Sequence, residues 1–204
     1  SDPILFFDLK TPAKLLRADI ERRLTAILDH GQYIGGPEVI ELEAKLAAFT
    51  GAKHALAVAS GTDALVIALM GEGIGPADAV FLPAFTYNAT ANAVLMTGAT
   101  PVFVDVDRES CNIDPAQLEN AIEAVIAEGK LTPKLVIAVD LYGLPADYPA
   151  IAAIARKHGM LVLSDAAQAL GGAQGNRRIG ALCEMTATSF YPSKTLGAYG
   201  DGGA

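Results

Sequence analysis

The sequence predicts an α/β fold, a mainly parallel sheet between helices, with an N-terminal helical arm. Three observations predict it. Short apolar runs, most bounded by Gly, Pro or Asp, recur between residues 55 and 190. Helical patterns alternate with them. The first 50 residues carry helical periodicity alone. Runs that are apolar throughout fit strands buried on both faces, and alternation with helices fits a parallel sheet covered on both sides.

Each element can be justified in order. Residues 12–30 place Leu15, Leu16, Ile20, Leu24, Ile27 and Leu28 at helical spacing, with Thr11 as the expected N-cap and Gly31 as the stop. Residues 38–49 repeat the pattern through Val39, Leu42, Leu46 and Phe49, closed by Gly51, after the glycine-rich connector 31–37. Strands are expected at 55–59, 79–82, 101–104, 135–139, 161–163 and 186–190. Helices are expected at 62–70, 90–96, 115–127 behind the cap Asp114, and 148–157 before Gly159. The expected division is a helical arm over 1–50 and one α/β domain over 51–204. There is no internal repeat or low-complexity tract.

Composition narrows the function. The 204 residues are 51% hydrophobic and 19% charged, with a mean hydropathy of +0.34. That excludes intrinsic disorder, which needs low hydrophobicity and high net charge. Net charge is −8, so the basic footprint of a general nucleic-acid binder is missing. An anionic ligand must be held by local devices such as helix N-termini. Cys111 and Cys183 are too few for a disulfide scaffold and read as reduced, half-buried residues. The stretch 79–104 carries no charge but is broken by Pro83, Asn88, Asn92, Gly98 and Pro101, so it reads as strand, loop, helix and strand rather than a membrane span. No signal peptide is visible at Ser1-Asp2-Pro3, although Ser1 is not a natural start. The expected location is the cytoplasm, with no membrane partner.

In open α/β sheets ligands bind beyond the carboxyl ends of the strands. Three features stand there. Ser60-Gly61-Thr62-Asp63 joins a strand to a helix, where Gly61 permits close backbone approach and free helix N–H groups can seat a phosphate; the bland reading is a plain N-cap. Asp165 closes the run 161–164, with Gln168 three residues on. A buried acid there must be paired, either by a salt bridge or cap or by the cation of a ligand. Lys194, alone among the eight lysines, follows an apolar run and lies in an uncharged, aromatic and glycine-rich setting. It can serve as an amine nucleophile, or it can snorkel to the surface. Phosphate seat, aspartate and lysine together are what pyridoxal 5′-phosphate requires: an anchor, a partner for its ring nitrogen and a covalent attachment. No metal is expected. GxGxxG and Walker A signatures are absent, which counts against a plain nucleotide-binding domain.

At these residues the sequence resembles the DegT/DnrJ/EryC1/StrS family of pyridoxal-phosphate-dependent nucleotide-sugar aminotransferases. The resemblance is carried by Ser60-Gly61-Thr62-Asp63-Ala64-Leu65, Asp165-Ala166-Ala167-Gln168 and Ser189-Phe190-Tyr191-Pro192-Ser193-Lys194. The segments 6–10 and 36–43 also match. The resemblance implies the large domain of a fold type I aminotransferase, acting as a homodimer with shared sites. It implies Lys194 as the Schiff-base lysine, Asp165 on the pyridine nitrogen and Gln168 near the ring hydroxyl. Gly61, Thr62 and Ser189 would bind the phosphate with Asp63 beside them, Tyr87 would stack on the cofactor, and Tyr33 would lie near the substrate. The stretch 189–204 is most similar to members acting on 3-keto sugars, including UDP-2-acetamido-2-deoxy-3-oxo-glucuronate, with glutamate as the expected amino donor. Family members continue well past residue 204, so the resemblance implies a C-terminal small domain that is absent from this chain. Two rivals remain. A sugar dehydratase of the same family would carry histidine in place of Lys194. A non-catalytic regulatory domain of this fold would be fused to a DNA-binding segment, which is not seen here.

Overall fold

The computed structural model describes residue 4 and residues 6–204; the Ser1–Pro3 terminus lies outside the described residues. Helix α1 (Lys10–His30) and helix α2 (Pro37–Thr50) come first. Asp8, rather than the expected Thr11, caps α1: its Oδ1 accepts the amides of Lys10 at 2.9 Å and Thr11 at 3.0 Å. Those hydrogen bonds, led by the Thr11 contacts, hold the Asp8 carboxyl below the ordinary aspartate range. Thr11 itself therefore sits inside the first turn. No residue of α1 is buried, whereas α2 buries Leu46 and Thr50 against the domain.

The α/β unit follows as α3 (Gly61–Gly71), β1 (Asp78–Pro83), α4 (Ala89–Met96), β2 (Thr100–Val104), α5 (Pro115–Glu128), β3 (Thr132–Val139), a short 3₁₀ turn (Leu141–Gly143), α6 (Tyr148–Lys157) and β4 (Leu161–Asp165). A two-residue-per-strand hairpin, β5 (Ala173–Gln174) with β6 (Arg177–Arg178), precedes β7 (Met185–Ala187). Five strands form one sheet in the order β2-β1-β3-β4-β7, and every pairing in it is parallel.

Period-two alternation divides the strand side chains between two cores. Phe81, Val136, Ala138 and Val162 face α5 and α6, where Leu118, Ile122 and Ile151 cover them. Val80, Leu82, Leu135, Ile137 and Leu163 face α3 and α4, where Leu65, Leu69, Ala93 and Val94 cover them. Each such fully buried Leu or Ile contributes about 1.5–3 kcal/mol. The uncharged stretch 79–104 is β1, a loop, α4 and β2, as read from its breaks. No helix among the described residues is long and apolar enough to cross a membrane.

Two expected strands differ. Residues 55–59 form no strand: only Val58 is paired, exchanging hydrogen bonds of 2.9 and 3.0 Å with Gly203. Without ladder partners for Ala55 to Ala57, the apolar run stays irregular. The run 186–190 splits. Its start pairs with β4, while Thr188 and Phe190 turn to bond Ala204 and Gly202. Gly203 thereby lies between Val58 and Ser189. A Cβ on Gly203 would overlap the Ser60 carbonyl, so glycine is required there.

Candidate active site

The sheet order reverses at β1, which has β2 on one side and β3 on the other. Such a switch point opens a crevice at the carboxyl ends of the strands. A cavity of about 500 Å³ lies there, within the usual range for small-molecule sites. Segments distant in sequence line it: Gly61 and Thr62 from the start of α3, Tyr87 from the loop after β1, Asp165 from the end of β4, Gln168, and Ser189 with Lys194 beyond β7.

The start of α3 forms one wall. Ser60 caps it by accepting the Asp63 amide at 3.0 Å, and the Ser60 hydroxyl donates to Asp63 Oδ2 at 2.9 Å. The amides of Gly61 and Thr62 have no protein acceptor among the described residues and stay available to an anion. A Cβ on Gly61 would come within 2.6 Å of the Ser189 Cβ, so the helix start and Ser189 approach closely only because residue 61 is glycine. Ser189 Oγ accepts the Tyr191 amide at 3.2 Å, which leaves its own hydrogen free to donate.

Asp165 forms the floor and is 7% exposed. Its Oδ2 accepts from the Thr90 hydroxyl at 2.8 Å, and its Oδ1 accepts from the Ala167 amide at 3.3 Å. Thr90 in turn is 2.9 Å from Thr86, another lining residue. Burial pushes the Asp165 carboxyl up; the Thr90 and Ala167 contacts and the Lys194 charge oppose the shift. Lys194 is half-buried and lines the same cavity. Its setting is not uncharged as the sequence suggests, because Asp165 and Asp201 line the same cavity.

Two expected site residues lie elsewhere. Asp63 is outside the lining, its carboxylate turned to the Ser60 hydroxyl as part of the α3 cap. Tyr33 is also outside it, on the connector before α2, and 64% exposed. Conversely, Thr90 is fully buried against Asp165, and sequence reasoning missed it. At the start of α4 a threonine reads as a helix-start residue, and its partner is 75 positions away. Both cysteines are free and half-buried. Burial pushes the Cys183 thiol up to about 12, which keeps it protonated and inert.

A family model for the DegT/DnrJ/EryC1/StrS aminotransferase family matches residues 14–204. The chain belongs to that family. It is 49% identical over 203 residues to the UDP-2-acetamido-2-deoxy-3-oxo-D-glucuronate aminotransferase of Pseudomonas aeruginosa, covering 98% of this chain and 54% of the relative. Among solved structures it superposes with TM-score 0.96 on a DegT DnrJ EryC1 StrS aminotransferase from Brucella abortus, at 49% identity, covering 98% of this chain and 54% of that one. It superposes with TM-score 0.88 on NtdA from Bacillus subtilis with bound cofactor PMP, at 32% identity, covering all of this chain and 44% of that one. The chain thus spans about half the length of the curated relatives it matches. The fold is that of the large domain of fold type I aminotransferases.

Proposed function

We propose that this family member transfers an amino group to a keto sugar carried on a nucleotide, using pyridoxal 5′-phosphate in the cavity that Lys194 lines. One observation carries the reading. A helix start with two free amides, a buried carboxylate with few partners and a half-buried lysine line a single cavity. The lining fits the cofactor. The cradle between Gly61 and Ser189 excludes a Cβ and offers donors to a phosphate, and the buried Asp165 feels the Lys194 charge but accepts only the Thr90 hydroxyl and the Ala167 amide, which leaves it room to pair with a ring N–H.

When bound, the cofactor supplies an electron sink joined to the reacting amine. The chain's own residues do the rest. Gly61 and Thr62 amides and the Ser189 hydroxyl bind the phosphate. Asp165 holds a proton on the ring nitrogen, and Gln168 contacts the ring oxygen. Tyr87 covers one face of the ring. Lys194 Nζ is the covalent anchor. As a free amine, Lys194 Nζ would take the proton from the donor's α-carbon and return it in the reverse half of the exchange, as general base and then acid. Donor and acceptor use one site in turn, so the kinetics are ping-pong.

Glutamate is the proposed donor. The likeness to the Pseudomonas relative supports a UDP-linked 3-keto sugar destined for a surface polysaccharide. Residues 51–204 are proposed as the cofactor-binding unit, with 1–50 as the arm. A homodimer is proposed because Leu15, Leu16, Leu24 and Leu28 of α1 are all more than half exposed. The test is the absorption spectrum of the intact protein. Visible cofactor absorbance that bleaches with glutamate and returns with a keto sugar nucleotide is the expected result. A colourless protein that gains no absorbance from added pyridoxal phosphate contradicts the reading.

A further inference from the structure

The turn that leaves β3 is clamped by Asn112, which is outside the cavity lining. Tyr142, at its centre, has φ 56° and ψ 19°, a left-handed conformation disfavoured for any residue with a Cβ. Asn112, 4% exposed, clamps both ends of the turn: its Oδ1 accepts the Leu141 amide at 3.3 Å and its Nδ2 donates to the Leu144 carbonyl at 3.0 Å. The left-handed turn presents the Tyr142 N–H to Gln168 Oε1 at 2.8 Å. A backbone N–H can only donate, so this contact fixes the orientation of the Gln168 amide. The oxygen is occupied by the turn, and the nitrogen is the end left for the cavity that Gln168 lines.

We propose that Asn112 is a positioning residue: by clamping the 141–144 turn it makes Gln168 present an amide donor, and not an acceptor, to an oxygen of the bound cofactor. The proposal rests on the cavity being a pyridoxal phosphate site. It adds what chooses the polarity of Gln168, and it predicts that the ring oxygen is held as an acceptor, in its deprotonated form. Asn112 lies in the loop after β2, and it shares no lining contact with the cavity.

The test is a double-mutant cycle in the intact protein, reading the dissociation constant for pyridoxal 5′-phosphate and the visible absorption band. Asn112→Ala is expected to weaken cofactor binding about tenfold and to shift the band, as loss of a hydrogen bond to a charged group does. In a Gln168→Ala background, Asn112→Ala should cause no further change, because its effect runs through Gln168. An equal loss in both backgrounds makes Asn112 merely structural and overturns the proposal. Gln168→Glu gives a second arm, which tests the amide polarity itself, and Asn112→Asp, which keeps the acceptor for the Leu141 amide and loses the donor to the Leu144 carbonyl, replaces Asn112→Ala in the cycle if that variant fails to fold. With one carboxylate oxygen on Tyr142 N–H, the other would face the ring oxygen as a second acceptor, so binding at least as weak as in Gln168→Ala is expected. Wild-type affinity in Gln168→Glu overturns the amide assignment. Wild-type protein that takes up no pyridoxal phosphate overturns the functional reading and this proposal together, whereas normal uptake with an additive cycle overturns this proposal alone.

Discussion

Two buried carboxylates stand at the carboxyl ends of neighbouring strands, Asp140 just after β3 and Asp165 as the last residue of β4, and the chain surrounds them differently. Asp140 is fully buried and saturated. It accepts from the Ala146 amide at 2.9 Å, the Ser164 hydroxyl at 2.7 Å and the Tyr148 hydroxyl at 2.9 and 3.0 Å. Asp165 is nearly as buried, yet it has one hydroxyl and one long amide contact. The Asp140 N–H donates to the Asp165 carbonyl at 3.0 Å, so the two share a backbone but not an environment. Alternation sends the side chains to opposite faces of the sheet. Asp140 joins the core under α6, and Asp165 meets the cavity under α4. The contrast separates a polar group that completes the fold from one held ready for a ligand. Burial pushes both carboxyls up, but only at Asp165 does the cavity leave room for a cation.

The sharpest way to break this comparison is to remove each acid in turn. Asp140→Ala strands several buried donors, and urea unfolding should show a loss of about 3–5 kcal/mol. Asp165→Asn should leave the fold intact and lower the half-reaction rate with glutamate about 10²–10³-fold, a magnitude typical of losing one preorganised charge partner. It should also lessen a pH slope in the cofactor-free protein. The folded-state pKa of Asp165 is raised, so as pH climbs above the ordinary aspartate value the unfolded chain gives up its proton first and the folded state loses stability. In Asp165→Asn that decline should be shallower, keeping only the share that the raised Asp140 carboxyl contributes, measured as melting temperature against pH. If Asp165→Asn unfolds the protein and Asp140→Ala spares it, the roles are reversed.

Thr90→Val is the finer test. It deletes the one hydroxyl on Asp165 without touching Asp140, and about a tenfold drop in the half-reaction rate is expected, with unfolding little changed. The smallest effect belongs to the arm. Arg23 reaches from α1 to Glu41 of α2 at 3.0 and 3.3 Å. That contact, aided by Lys45, depresses the Glu41 carboxyl to about 2. A depressed acid stabilises above its unfolded value and loses its contribution as pH falls through the folded one, so α1 should loosen between about 4.5 and 2. Glu41→Gln should speed amide exchange in α1 slightly at neutral pH and leave both buried acids unaffected.

Much of this was legible in the residues. The helix 148–157 was read to the residue, with Gly159 as its stop, and the structure adds Asp147 as its cap. Asp165 and Lys194 were found because a charge at the end of an apolar run is anomalous wherever it occurs. The parts that were not legible depend on partners distant in sequence. Thr90 and Asn112 are ordinary polar residues until the sheet brings Asp165 and Leu141 beside them, and Asp140, an acid after the run 135–139, gives no sign in sequence that Ser164 and Tyr148 saturate it. The hairpin β5–β6 carries a Gly175-Asn176 turn signal, but its strands are two residues long and show no periodicity. Residues 55–59 have the composition of a strand and lack the ladder that would make one.

The central claim is that Lys194 and Asp165 face one cofactor across one cavity. Borohydride reduction of the intact, cofactor-loaded protein, followed by peptide mass analysis, tests it most directly. The expected result is cofactor fixed on the peptide carrying Lys194, and none fixed in Lys194→Ala. Cofactor fixed on any other lysine, with activity surviving in Lys194→Ala, would contradict the account.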